Sequence, residues 1–173
     1  MDQVIEAQET GEISASGQAG RNLHEVVEGK NINETTLLAT DYLNHFNEIV
    51  MLIELLPDMP DMLEEVQAWQ PKSYEQHFLD SCFAEKDLAI EAYHASPDRY
   101  RIPFDKTVRH MDELVADAMS GIEQAIAAED QPRLSVTVER VTDRLRRFGD
   151  IASGIIHGDE RTMDQDEIDS ILD

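Results

Sequence analysis

The sequence is short of several features that would place a protein quickly. Among 173 residues there is one cysteine, Cys82, so no disulfide can close within the chain and no cysteine-based zinc pattern is possible. Basic residues are scarce: 14 Lys and Arg stand against 37 Asp and Glu, a formal charge of -23. A phosphate backbone or an anionic lipid surface would be repelled, so neither nucleic acid nor membrane is an expected partner. The longest apolar run, residues 49–57, is interrupted by Glu54 and falls far short of the roughly 20 residues that span a bilayer. The opening Met1-Asp2-Gln3-Val4-Ile5-Glu6 has no positive cap before an apolar stretch, unlike a secretory signal. The expectation is a soluble, cytoplasmic protein. Strand-type alternation, a solenoid repeat, a phosphate loop and a nucleophile elbow are missing as well.

What the chain does have is helical periodicity. Residues 1–20 are polar and acidic and hold too little apolar mass to offset the entropy of ordering them, which predicts a disordered arm. A helical bundle domain is expected over 21–157, a linker over 158–163 and a separate C-terminal helix over 164–173. Within the bundle, Leu38, Tyr42, Ile49, Ile53 and Leu56 mark an amphipathic helix over 35–56, ended by Pro57 and Pro60. A short helix to Trp69 follows. Ser73, with Gln76 three residues on, is a capping box opening a helix to about Ala95, and residues 96–103 read as a loop. Two long helices come next. Phe104, Val108, Met111, Val115, Ala118, Ile122 and Ala125, then Leu134, Val138, Val141, Leu145, Phe148, Ala152 and Ile155, alternate steps of four and three. Each helix therefore carries one apolar seam. The connection through Asp130, a cap, and Pro132, a first-turn residue, is short enough to force an antiparallel hairpin. The fold class is all-α: a helical hairpin or four-helix bundle, completed either within one chain or by a homodimer.

The last residues form a distinct unit. Residues 158–173 hold seven acids against Arg161, yet Ile168, Ile171 and Leu172 fall at i, i+3 and i+4 and make a small apolar stripe. A helix of two to three turns is marginal alone, so this segment reads as one that folds when its stripe meets a groove; the plainer reading is a final helix packing on its own bundle. The run Met163-Asp164-Gln165-Asp166-Glu167-Ile168-Asp169-Ser170-Ile171-Leu172 resembles the docking segment of flagellar motor switch proteins (FliM), of general form Leu-Ser-Gln-x-Glu-Ile-Asp-x-Leu-Leu. It is similar also to the tail of CheZ-type chemotaxis phosphatases, which join a dimerised helical hairpin to a docking helix through a linker. Gln165, Glu167, Ile168, Asp169, Ile171 and Leu172 match by position; Asp164 stands where Ser is usual, and Ile171 where Leu is usual. The resemblance implies binding to a CheY-like phosphorylated response regulator, with no cofactor of the chain's own, since Mg2+ would be held by the receiver domain.

CheZ-type phosphatases use an Asp and, four residues later, a Gln that orients the attacking water. Asp-x-x-x-Gln does not occur here. The nearest likeness places Asp41 as in that family with His45 in the Gln position, while Asp41 with Asn44 is similar to the acid-x-x-Asn pairs of the CheC and CheX phosphatases, which have another fold. Asp41, Asn44, His45 and Glu48 share one helix face, flanked by Leu37, Leu52 and Leu55, so Asp41, Asn44 and His45 are the candidate catalytic residues. The plainer reading of this patch is the solvent side of a helix. Five histidines also have a carboxylate three residues away: His45, His77, His94, His110 and His157. Glu91 with His94 has the order used by di-iron bundles, but acids are so frequent here that chance explains such pairs and no metal ligands are assigned. Arg133, Arg140, Arg144 and Arg147 make a basic stripe expected to pair with Asp112, Asp117 and Glu123. The alternatives to receiver binding are a non-catalytic scaffold for another protein and a metal-binding bundle.

Overall fold

The two seams meet. In the computed structural model, which describes residues 22–159 and Ile171, helices α6 (Asp98–Ala127) and α7 (Gln131–Ile156) pack along their length. Every seam residue named above is buried except Val108, which is half-buried. Arg133 reaches Gln124, Gly121 faces Thr137 and His110 stacks on Phe148, so the pairing runs antiparallel. The turn between them is made by backbone geometry. Glu129 takes φ 51°, and the N–H groups of Glu129 and Asp130 bond back to the carbonyls of Ile126 and Ala125, the pattern that satisfies the last carbonyls of a helix. Asp130 then accepts a bond from the Arg133 N–H at 3.1 Å and caps α7, as its position before Pro132 predicts.

The remaining helices are shorter: α1 (Leu23–Val26), α2 (Asn44–Leu55), α3 (Leu63–Ala68), α4 (Tyr74–Asp80) and α5 (Lys86–Ala95), with tight 3-10 turns at Thr40–Leu43 and Pro60–Met62. The protein is all-α, and no strand occurs among the described residues. No helix among them is long and apolar enough to cross a membrane. The α2 helix packs on α7 and α4 on α5. At the far end of α7, the Thr36 hydroxyl donates to the Ile156 carbonyl at 2.6 Å and the Ser96 hydroxyl donates to the Thr36 carbonyl at 2.7 Å. These two buried bonds tie three distant parts of the chain together.

Three boundaries differ from the sequence expectation, each for a local reason. The first amphipathic helix starts at Thr40 rather than 35, because the Asn33 side chain accepts from the N–H groups of both Thr35 and Thr36 at 2.9 Å and holds them in a turn. Leu37 there adopts φ 60°, a conformation costing about 1–2 kcal/mol, which burial of its side chain offsets. The helix expected over 73–95 breaks at Ser81, whose hydroxyl donates to the Phe78 carbonyl and accepts from the Phe83 N–H. The loop expected over 96–103 is the start of α6, with Pro103 inside the helix. One lost backbone bond is tolerated because Tyr100 and Phe104, on either side, are both buried.

The arm 1–20, most of the 158–163 linker, and Gln165, Glu167, Ile168, Asp169 and Leu172 lie outside the described residues. At Ile171 the chain departs from the expectation of a tail free of its own body. That residue is helical, 7% exposed, and part of the apolar core.

Thr36→Val keeps the shape of the side chain but leaves the buried Ile156 carbonyl without its donor. A loss of about 1–3 kcal/mol in urea unfolding is expected, whereas removing the exposed cap with Asp130→Ala is expected to cost about 1 kcal/mol.

Candidate functional site

The helix face proposed from sequence does not form one surface. Asp41, in the Thr40–Leu43 turn, is half-buried, Asn44 and Glu48 are exposed, and His45 is 4% exposed. The turn preceding α2 sends His45 inward, where its ring stacks on Trp69 with centroids 4.5 Å apart and planes 19° from parallel. Trp69 returns a bond from its indole N–H to the His45 carbonyl at 3.3 Å. His77, from α4, completes the cluster with its ring 6.1 Å from His45 and edge-on to Tyr42. Burial lowers the His45 pKa to about 4, helped by the charges of His77 and Lys72 and opposed by the Gln70 backbone. Burial also lowers that of His77, although the Asp41 carbonyl and carboxylate favour its charged form. Both rings are neutral near pH 7, and His45 Nε2 is buried with no hydrogen-bond partner. Asn44 is thus separated from His45, while Asp41 and His45 both approach His77. The sequence reading missed Trp69 and His77. The available signal was Trp69 beside the Gln70-Pro71 break, which returns the chain across α2.

A concavity lies on the next face of α6. The segment from α3 to α4 does not pack flush on this helix; side chains hold it off, leaving two adjoining cavities of about 340 and 300 Å³. Pro71 and Asp112 line both. Gln67 of α3 bonds Glu123 at 2.8 Å at one end and Tyr93 of α5 donates to Asp105 at 3.0 Å at the other. These two bridges stand about 27 Å apart along α6. Tyr42, Tyr74, Tyr93 and Phe104 wall the first cavity, and Trp69, Val115 and Met119 the second. The hydroxyls of Tyr42 and Tyr74 are committed, the first donating to the Lys72 carbonyl and the second accepting from the Ala39 N–H, each at 2.8 Å. Burial next to Asp105 pushes the Tyr93 hydroxyl up to about 12.

Asp112 stands midway along the groove. Its Oδ1 is screened from solvent and has no hydrogen-bond partner, and burial, with the neighbouring Glu113 charge, raises the carboxyl to about 6. This corrects the expected pairing of α7 arginines with Asp112, Asp117 and Glu123: Arg133 bonds Gln124, and Glu123 accepts from Gln67. Among the described residues, Arg146 of α7 forms ion pairs with Glu54 and Asp143. The expected His94 pair is likewise rearranged, while that of His110 with Glu113 is kept. His94 meets Glu75 at 3.0 Å rather than Glu91, His110 lies 3.6 Å from Glu113, and the His157 ring bonds the Ser153 carbonyl. No three His, Cys, Asp or Glu side chains converge on a common point among the described residues.

No protein family, curated protein or solved structure matches the chain.

The displaced titrations of His45 and Asp112 have opposite signs. Stability from neutral His45 is complete above pH 6.5 and is lost as pH falls through about 4. Stability linked to protonated Asp112 is present below pH 3.8 and is lost as pH rises through about 6. His45→Phe keeps the stack on Trp69 and removes the first effect alone. Urea midpoints measured from pH 7 to pH 4 are expected to fall less steeply in this variant than in wild type, by up to about 3 kcal/mol over the interval. Equal slopes would contradict a buried neutral His45.

Proposed function

We propose that this chain is a helical adaptor that engages a CheY-like phosphorylated receiver domain through its C-terminal segment. What supports the reading is the match of Gln165, Glu167, Ile168, Asp169, Ile171 and Leu172 to the switch-protein docking pattern, joined to a chain whose long element is a helical hairpin. The acids of the segment would steer it toward a basic surface and its three aliphatic side chains would anchor it. The adaptor is favoured over a phosphatase. Asp41, Asn44 and His45 offer no common face to an incoming phosphoaspartate, and the one His45 nitrogen that could hold water is enclosed with Trp69 stacked on the ring.

Burial of Ile171 sets a condition on this function. A receiver that takes the side chain must first draw it from the protein's own core, at a cost of about 1.5–3 kcal/mol. The intact protein is therefore expected to bind about 10- to 150-fold more weakly than the free segment.

A peptide of residues 160–173 titrated against receiver domains activated with beryllofluoride is expected to bind, and to lose binding when Ile168→Ala and Leu172→Ala are combined. The full chain should bind the same domain more weakly than the peptide. A peptide that binds none of the receiver domains would remove the proposal.

A further inference from the structure

The outward face of α2 is apolar where a surface helix is ordinarily polar. Of the six large apolar side chains that stand exposed among the described residues, three fall in one stretch: Met51, which is 64% exposed, Leu55 and Met59. They form a single row. Met51 and Leu55 lie one turn apart on α2, and the Met59 N–H bonds the Leu55 carbonyl at 2.8 Å, which carries the row one turn further. Asn47, one turn before Met51, lines a cavity of about 290 Å³ between α2 and α7, walled by Phe46, Val50, Met111 and Leu145. From that cavity to Met59 the row is about 18 Å long.

The charge around the row has one sign. Between Lys30 and Lys72 the chain holds eight acids and no Lys or Arg. Glu48 and Asp58 beside the row, and Asp150 at the cavity, are exposed and in no ion pair among the described residues. The cation that also lines the cavity, Arg146, is committed to Glu54 and Asp143. An apolar row rimmed by unpaired carboxylates selects a partner with an apolar stripe and cationic flanks, and methionine side chains adapt readily to such a stripe. The chain's own terminal segments do not qualify: residues 1–20 hold four acids and no Lys or Arg, and residues 158–173 seven acids against Arg161. A second copy meeting the same face would set Glu48 and Asp58 against their own equivalents.

We propose that this face docks a basic amphipathic helix of another protein. The apolar stripe of that helix lies along Met51, Leu55 and Met59, its Lys or Arg side chains meet Glu48, Asp58 and Asp150, and one aromatic side chain enters the cavity between α2 and α7. The proposal is independent of the receiver reading, since it involves no residue of the C-terminal segment.

The probe is a fluorescein-labelled peptide of about 18 residues, long enough to form a helix, built of Leu and Lys with one Trp in its apolar stripe. Titrated with the full chain in 150 mM salt and followed by anisotropy, it is expected to bind saturably, one peptide per chain. A peptide of the same composition with the stripe scrambled should bind about tenfold more weakly or less. Met51→Ser combined with Leu55→Ser changes only exposed positions, so the chain is expected to fold and to lose about tenfold or more in affinity. Glu48→Gln with Asp58→Asn should weaken binding as well. Asn47→Trp, which places a ring at the cavity, should weaken the Trp peptide and leave its Trp-to-Ala form unchanged. Leu79→Ser with Ile102→Ser, at exposed apolar positions elsewhere, should have no effect. Absence of saturable binding by the wild-type chain would overturn the proposal, as would equal weakening by the Leu79 and Ile102 pair, which would mark general stickiness, or undiminished binding after the Glu48 and Asp58 changes. Self-association of the wild-type chain in sedimentation, abolished by the Met51 and Leu55 changes, would assign the face to a second copy and overturn it too.

Discussion

The structure depends on one interface, the apolar seam between α6 and α7. Neither helix could hold its shape alone, because a single amphipathic face gains its stability from packing rather than from helix propensity. Once the seam closes, the backbone of both helices becomes a platform with two remaining sides. One side receives α2, held along α7 by the Arg146–Glu54 pair and by Gln131 donating to the Pro57 carbonyl. The other receives the α3–α4 segment and α5, through side chains standing off the helix. Cavities of similar size adjoin both contacts, two of about 340 and 300 Å³ beside α6 and one of about 290 Å³ between α2 and α7.

The seam was also the most legible part of the sequence, because fourteen apolar positions repeat one spacing and no competing signal opposes them. The Asp130 and Ser73 caps were equally readable, since a short polar side chain three residues before an unpaired N–H acts locally. Legibility failed where short side chains competed for the backbone. Asn33 and Ser81 both replace helical bonds with their own, and periodicity alone does not register the exchange. It failed at Pro103 for the converse reason. A local breaker was overruled by two buried aromatic anchors, of which Phe104 meets Tyr42 and Tyr74, far away in sequence.

The candidate site shows the same division. Spacing correctly grouped Asp41, Asn44, His45 and Glu48 on neighbouring turns, but spacing carries no information about which of them the next segment will cover. Trp69 decides that by lying over His45, and its arrival depends on the Gln70-Pro71 break more than twenty residues downstream. Asp112 was assigned to the arginines of α7 because opposite charges on adjacent helices invite pairing. In the folded protein it lies on a different side of α6, where burial raises its carboxyl and leaves one oxygen without a donor. A carboxylate on a helix gives no sequence signal of its own that separates a solvated face from a groove.

Asp130 closes one helix through its N–H and opens the next through its carboxylate, so the hairpin has no spare residue at its bend. The angular phase of α7 relative to α6 is therefore fixed at a single point. Lengthening the bend by one residue would turn α7 about 100° around its axis, rolling the seam out of contact and bringing a neighbouring row of side chains against α6. The corner thus tolerates changes of residue type far better than changes of length, and inherited variation in this protein should follow that rule.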